Sequence, residues 1–161
     1  MQTIIVSACL LGENVKYNGG NNYDPRIEKL KEVYDIIPVC PETFGGLKRP
    51  REPSEIRNIK VVSRSGKDVT KFFEEGARQV LNIVEFKNVK KALLMDRSPS
   101  CGVNQIYNGT FSKKLIPGQG YTAKRLLEKG VKLYTLDNID ELIASADDDK
   151  LKKTETENSE N

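Results

Sequence analysis

Four short apolar runs, separated by loops and helix-patterned stretches, restrict this chain more than any other feature: QTIIV at 2–6, DIIPV at 35–39, KALLM at 91–95 and VKLYTL at 131–136. Ile27, Leu30, Val33 and Tyr34 share one helical face behind Asp24-Pro25, which predicts a short helix at about 25–34. Phe73, Ala77, Val80, Leu81 and Val84 repeat at helical spacing behind Asp68 or Thr70, a pattern that ends near Lys87. A third helix, capped by Thr122 and stopped by Gly130, carries Ala123, Leu126 and Leu127, and a last short one runs from Ile139 to Ala144. Strands spaced by helices pair in parallel, because a crossover helix returns the chain to the same edge. The expected fold is therefore α/β and Rossmann-like, a three-layer, mainly parallel sheet with helices on both faces.

Two stretches stand outside the alternation. Residues 48–68 are rich in Arg, Pro and Glu, with one β-like run, IKVVS, and a turn at Ser65-Gly66, and read as an irregular excursion or small hairpin. Asn108-Gly109 suggests a tight turn. The final fifteen residues, DDDKLKKTETENSEN, contain one apolar residue, so 147–161 is expected to be a frayed or disordered tail behind a single domain at 1–146. No apolar run reaches bilayer length, and the first strand lacks the basic flank of a signal peptide, so the cytoplasm is the expected compartment.

Charge is uneven along the chain. Of the net +3, residues from Asp140 onward contribute eight acidic and three basic side chains, which leaves residues 1–139 at +8. A basic body suits an anionic or nucleotide-like ligand, although no Lys/Arg run interleaved with aromatics marks a nucleic-acid groove.

Three cysteines and no histidine narrow the chemistry further. Ser-His-Asp and Cys-His nucleophilic systems and His-containing zinc sites are excluded, and an odd cysteine count makes a poor disulfide framework. Each cysteine follows an apolar run: Cys9 after 2–6, Cys40 directly after 35–39, and Cys101 in the loop after 91–95. Ligands in open α/β sheets gather beyond the carboxyl ends of the strands, so positions 31 and 61 residues apart would converge on one rim. Each thiol could simply be a small buried hydrophobe. If they do converge, three thiolates fall one short of closing a tetrahedral zinc site or a [4Fe–4S] cluster. The open position on a soft iron would then accept an exogenous sulfur.

The segments IIVSACLLGENVKYNGG, IIPVCPETFGGLKRPREPSEI, GKDVTKFFEEGA, ALLMDRSPSCG and IPGQGYTAKRLLEKGVKLY cover about residues 3–138. In that order and spacing they resemble the thiouracil desulfurase (desulfidase) family, bacterial proteins first catalogued as a domain of unknown function. The resemblance implies a [4Fe–4S] cluster held by Cys9, Cys40 and Cys101, whose fourth iron takes sulfur from a thiolated uracil in a hydrolytic C–S cleavage. It assigns catalytic roles, in handling protons or orienting substrate, to Glu42 of the CPE motif and Ser98 of SPSCG. Ser100, Gly45 and Gly46 are candidate substrate contacts. Asn18 stands where the family's YDGG segment has Asp. The implied substrate is a small thiolated nucleobase or nucleoside, with thiolated tRNA as a larger alternative; no membrane is involved, and the oligomeric state is not readable.

From residues alone, Glu42 is the most plausible base in a chain without His, because it sits two positions past Cys40. Two rival readings compete. Gly118-Gln119-Gly120-Tyr121-Thr122-Ala123 fits G-x-G-x-x-A, but the preceding FSKKLIP is no buried strand, so a NAD site is disfavoured. Those glycines would instead open the helix at Thr122 and leave N–H groups free for an anion. The other rival is a non-enzymatic nucleotide-, RNA- or metal-binding module.

Overall fold

The computed structural model describes residues 1–147. The expected tail lies outside the described residues, apart from Asp147, which is still helical. Four parallel strands form the central sheet: β1 (Thr3–Ser7), β2 (Asp35–Val39), β5 (Lys91–Leu93) and β8 (Lys132–Tyr134), in the order β2-β1-β5-β8. Central β1 is apolar, β-branched and buried from Ile4 onward, as a strand covered on both faces must be, whereas the edge strands β2 and β8 are partly exposed.

Alternation along the strands sorts the core into two layers. Ile5, Ala92 and Leu94 pack with Val80 and Val84 of α3 (Thr70–Lys87) and with Ala123 and Leu126 of α4 (Tyr121–Glu128). Ile4, Val6 and Leu93 face the other way, toward Ile27 and Leu30 of α1 (Ile27–Val33) and toward Ile139 and Leu142 of a helical segment at 139–147. Ile4, Ile5 and Val6 are 0% exposed, and each such side chain stabilises the fold by about 1.5–3 kcal/mol relative to exposure. Helices thus cover both faces, in the three-layer arrangement expected.

The chain leaves β1 toward β2 on one side and later reaches β5 on the other, so the sheet reverses direction between β1 and β5. That reversal opens a crevice at the carboxyl ends of the strands, where such folds bind ligands. Two antiparallel hairpins stand outside the sheet. One, β3 (Ser54–Arg57) with β4 (Lys60–Ser63), is the excursion; the other is β6 (Gln105–Tyr107) with β7 (Leu115–Pro117). They are tied together by Glu55 Oε1, which accepts from the Gly109 and Phe111 N–H groups at 3.0 and 3.2 Å, and by Arg57, which donates to the Gly109 carbonyl.

Several boundaries differ from the sequence reading. The first helix begins at Ile27, because Asp24 caps a turn, accepting from the Arg26 N–H at 2.9 Å. FSKKLIP supplies strand β7, which pairs only with β6, so its lysines and proline do not have to enter a core. The residues after Cys40 form a short helix, α2 (Pro41–Phe44), with Pro41 at its first position and Glu42 in its first turn. Helix α4 is capped by Gly120 rather than Thr122, whose Oγ1 is buried without a partner. No helix among the described residues is long and apolar enough to cross a membrane.

Candidate functional site

Cys9 lies on a 3₁₀ turn (Ala8–Leu11) directly after β1, Cys40 is the residue before α2, and Cys101 follows β5. The three strands involved are neighbours, and all three thiols line one cavity of about 450 Å³. Glu42, Ser98 and Ser100 line it too, and Ser54, Glu55, Tyr107 and Phe111 wall it from the two hairpins. The excursion, whose role the sequence left open, therefore shapes the site.

Three devices hold the Cys101 loop. Asp96 Oδ1 accepts from the N–H groups of Arg97, Val103, Asn104 and Gln105, at 2.7 to 3.3 Å. Burial alone would raise its carboxyl, but those backbone donors prevail and hold it below the usual value. Ser98 Oγ accepts from the Cys101 N–H at 2.7 Å and the Ser100 N–H at 3.2 Å. The start of α4 supplies the third: the N–H groups of Gly120, Tyr121, Thr122 and Ala123 donate to the carbonyls of Gly102, Pro99, Ser100 and Ser100. This corrects the expected anion site, since the loop carbonyls consume the donors. Gly120 is required at this junction because a Cβ there would stand 2.5 Å from the Ser100 carbonyl.

The hydroxyls form a short relay. Ser98 Oγ is 3.2 Å from Ser100 Oγ, and Ser100, 1% exposed, donates to Glu42 Oε2 at 3.4 Å. On the other carboxylate oxygen, Arg51 Nη2 approaches to 3.5 Å. Burial pushes the Glu42 carboxyl above its ordinary range, while the Arg51 charge and the Arg51 and Ser100 hydrogen bonds pull it back. Two long contacts leave this carboxylate loosely held beside open space.

Burial is the main force against ionisation of Cys101 and Cys9. Burial pushes Cys101 up to about 12; hydrogen bonds from Ser7 and Ser100 oppose this, and Cys9 and Glu42 reinforce it. Burial also raises Cys9, an Asn22 hydrogen bond and Lys16 oppose the rise, and Cys40 and Glu42 add to it. All three cysteines are free. Among the described residues no group of three or more His, Cys, Asp or Glu is placed to hold a metal ion.

Gly45 and Gly46 are not among the cavity-lining residues. A Cβ at Gly45 would stand 1.8 Å from the Phe72 carbonyl oxygen, and one at Gly76 would stand 1.9 Å from the Pro41 carbonyl oxygen. These glycines let α2 dock against α3, which fixes the pitch at which Cys40 and Glu42 meet the cavity. Sequence reasoning did not single out Asn22, Ser7, Arg51 or Asp96: Ser7 and Asn22 act through contacts 88 and 13 residues away, and the loop path that folds four N–H groups onto Asp96 carries no periodic signal.

A family model for 2-thiouracil desulfurase matches residues 4–138. A Bacillus subtilis (strain 168) protein described as uncharacterized, YbbK, is 37% identical over 150 residues, which is 87% of this chain and 99% of the relative. A solved structure of a [4Fe-4S]-dependent thiouracil desulfidase, TudS, superposes with a TM-score of 0.85 at 37% identity, covering 90% of this chain and 97% of that one.

Proposed function

The chain belongs to the 2-thiouracil desulfurase family, desulfidases that act on carbon–sulfur bonds, and from that premise we propose that it hydrolyses the C=S group of a small thiolated pyrimidine at a [4Fe–4S] cluster. The observation that carries this reading is the convergence of Cys9, Cys40 and Cys101, with Glu42, on one cavity. The all-sulfur donor set fits an iron–sulfur centre, and Cys9, Cys40 and Cys101 would hold it. When bound, such a cluster supplies an iron without a protein ligand, a soft Lewis acid for the substrate's sulfur.

The chain's own groups handle the water and its protons. The net reaction is thiocarbonyl plus water giving carbonyl plus hydrogen sulfide, so both water protons must leave oxygen as the C–O bond forms and the C–S bond breaks. Glu42, loosely held and facing the cavity, takes the first proton at a carboxylate oxygen as water adds to carbon. It returns that proton to the departing sulfur, which also takes the second proton as the carbonyl forms, so that hydrogen sulfide leaves. The Arg51 charge and hydrogen bond oppose the rise that burial imposes on the Glu42 carboxyl. Ser98 has its oxygen occupied by two backbone donors, so its own proton points to Ser100 or to the substrate, and Ser100 links it to Glu42. Residues of the hairpins exclude bulk water, and Tyr107 and Phe111 offer aromatic faces of pyrimidine size.

The test is direct. Protein reconstituted with iron and sulfide without oxygen should show broad visible absorption, and with 2-thiouracil it should release sulfide and uracil in equal amounts. Cys101→Ala should lose both. A parent protein that takes up no iron, or a loaded one that leaves thiolated pyrimidines intact, would overturn the reading. Chain-length comparison of thiolated base, nucleoside and tRNA in the same assay identifies the substrate.

A further inference from the structure

Asn22 meets Cys9 twice. Its backbone N–H donates to the Cys9 carbonyl at 2.9 Å, and its carboxamide Nδ2 donates to Cys9 Sγ at 3.4 Å. Asn22 is half-buried and lines the same cavity as the three thiols. The loop that delivers it is braced. Asn21 Nδ2 donates to Asn14 Oδ1 at 2.9 Å, the Arg51 N–H donates to the Tyr17 carbonyl at 2.7 Å, and Arg51 Nη2 donates to the Val15 carbonyl at 3.2 Å. Arg49 Nη1 adds a bond to the Asn14 carbonyl at 3.0 Å. The carboxamide is therefore aimed at the sulfur by a network that does not depend on the sulfur.

Only the N–H side of a carboxamide suits a thiolate, because the amide oxygen would repel it. A donor at that distance withdraws charge from the sulfur and fixes the side-chain rotamer. For a cluster ligand, hydrogen bonds to sulfur shift the reduction potential, and outer contacts of this kind control how firmly the metal is kept. The sulfurs are served differently: Cys101 meets the hydroxyls of Ser7 and Ser100, the latter at 3.8 Å, whereas Cys9 meets an amide.

We infer that Asn22 is a positioning residue for Cys9, its carboxamide N–H holding and partly neutralising the sulfur that ligates the cluster, an inference that rests on the cluster reading above. Two variants test it in cluster-loaded protein prepared without oxygen. Asn22→Asp keeps the shape of the side chain but turns the donor into an anion; Asn22→Ala removes it. The readouts are the midpoint potential of the cluster, followed by electron paramagnetic resonance, and the half-time of its visible absorption under an iron chelator. Both variants should have a more negative potential than the parent and lose the cluster about tenfold faster, with Asn22→Asp shifted further. Variants that cannot be loaded, yet melt like the cluster-free parent, support the inference as well.

Potentials and chelator half-times equal to the parent's in both variants overturn it, whatever happens to sulfide release. So does a lower melting temperature of the cluster-free variants accompanied by an unchanged potential, which would make Asn22 a brace of its loop alone. A parent that takes up no iron overturns the cluster reading and this inference together. A loaded parent with normal variants overturns only the inference.

Discussion

At the amino end of the sheet the buried Lys91 places Nζ 2.7 Å from Ser145 Oγ and 3.2 Å from Tyr34 Oη, and Tyr34 in turn donates to the Leu142 carbonyl at 2.8 Å. At the carboxyl end Glu42 is also desolvated, but its contacts are 3.4 Å to Ser100 and 3.5 Å to Arg51, and it borders a cavity. Both ends withdraw an ionisable group from water. The first closes polar atoms around it at good hydrogen-bond distance and pins the 139–147 segment to the sheet. The second leaves its group under-coordinated next to space that a substrate can fill. Burial of a charge therefore does not by itself mark chemistry; slack contacts facing a void do.

The comparison can be broken at either end. The largest effect is expected at Glu42: Glu42→Gln should lower kcat for sulfide release about 10²–10⁴-fold while the visible absorption of the cluster is retained. Retained activity would move the base elsewhere. At the opposite end, Lys91→Met should lower the unfolding free energy by about 1–3 kcal/mol in urea titration and leave sulfide release per loaded cluster unchanged. An activity loss there would join two regions that the geometry separates.

The smallest effect belongs to the loop clamp. Asp96→Asn keeps an acceptor but removes the charge that four backbone donors address, so it should destabilise by about 1 kcal/mol. The folded carboxyl lies below its ordinary value of 3.8, so its contribution is complete above that value and disappears as pH falls through the lower folded value. Urea unfolding at a series of acidic pH values should show the gap between parent and variant closing on acidification. A gap that widens would reverse the assignment.

Most of the architecture was legible because it is driven by burial. β1, β2, β5 and the full length of α3 declare themselves through apolar runs and helical spacing, and the meeting of the cysteines on one rim follows from parallel topology. What stayed hidden depends on contacts between distant segments. Four-residue α2 is too short for a periodic signal, and β7 exists only because β6 pairs with it. The donors at the start of α4 could be assigned to an anion until the carbonyls of Pro99, Ser100 and Gly102 were found against them. Gly45 and Gly46, adjacent to the CPE motif, read as substrate contacts in sequence, and the close approach of Gly45 to the Phe72 carbonyl depends on a residue 27 positions away.

The three thiols come from three different crossover units, separated by 31 and 61 residues. A motif with closely spaced cysteines can capture metal on an unfolded or half-made chain. Here the three thiols meet only when β2, β1 and β5 have paired and the loop through Cys101 has been locked by α4, so the proposed ligand set would not be open to such capture. On the proposed cluster reading, metallation would be conditional on synthesis and folding being finished to beyond residue 120, so the cofactor would act as a certificate of the completed fold, and truncated or misregistered chains would remain colourless.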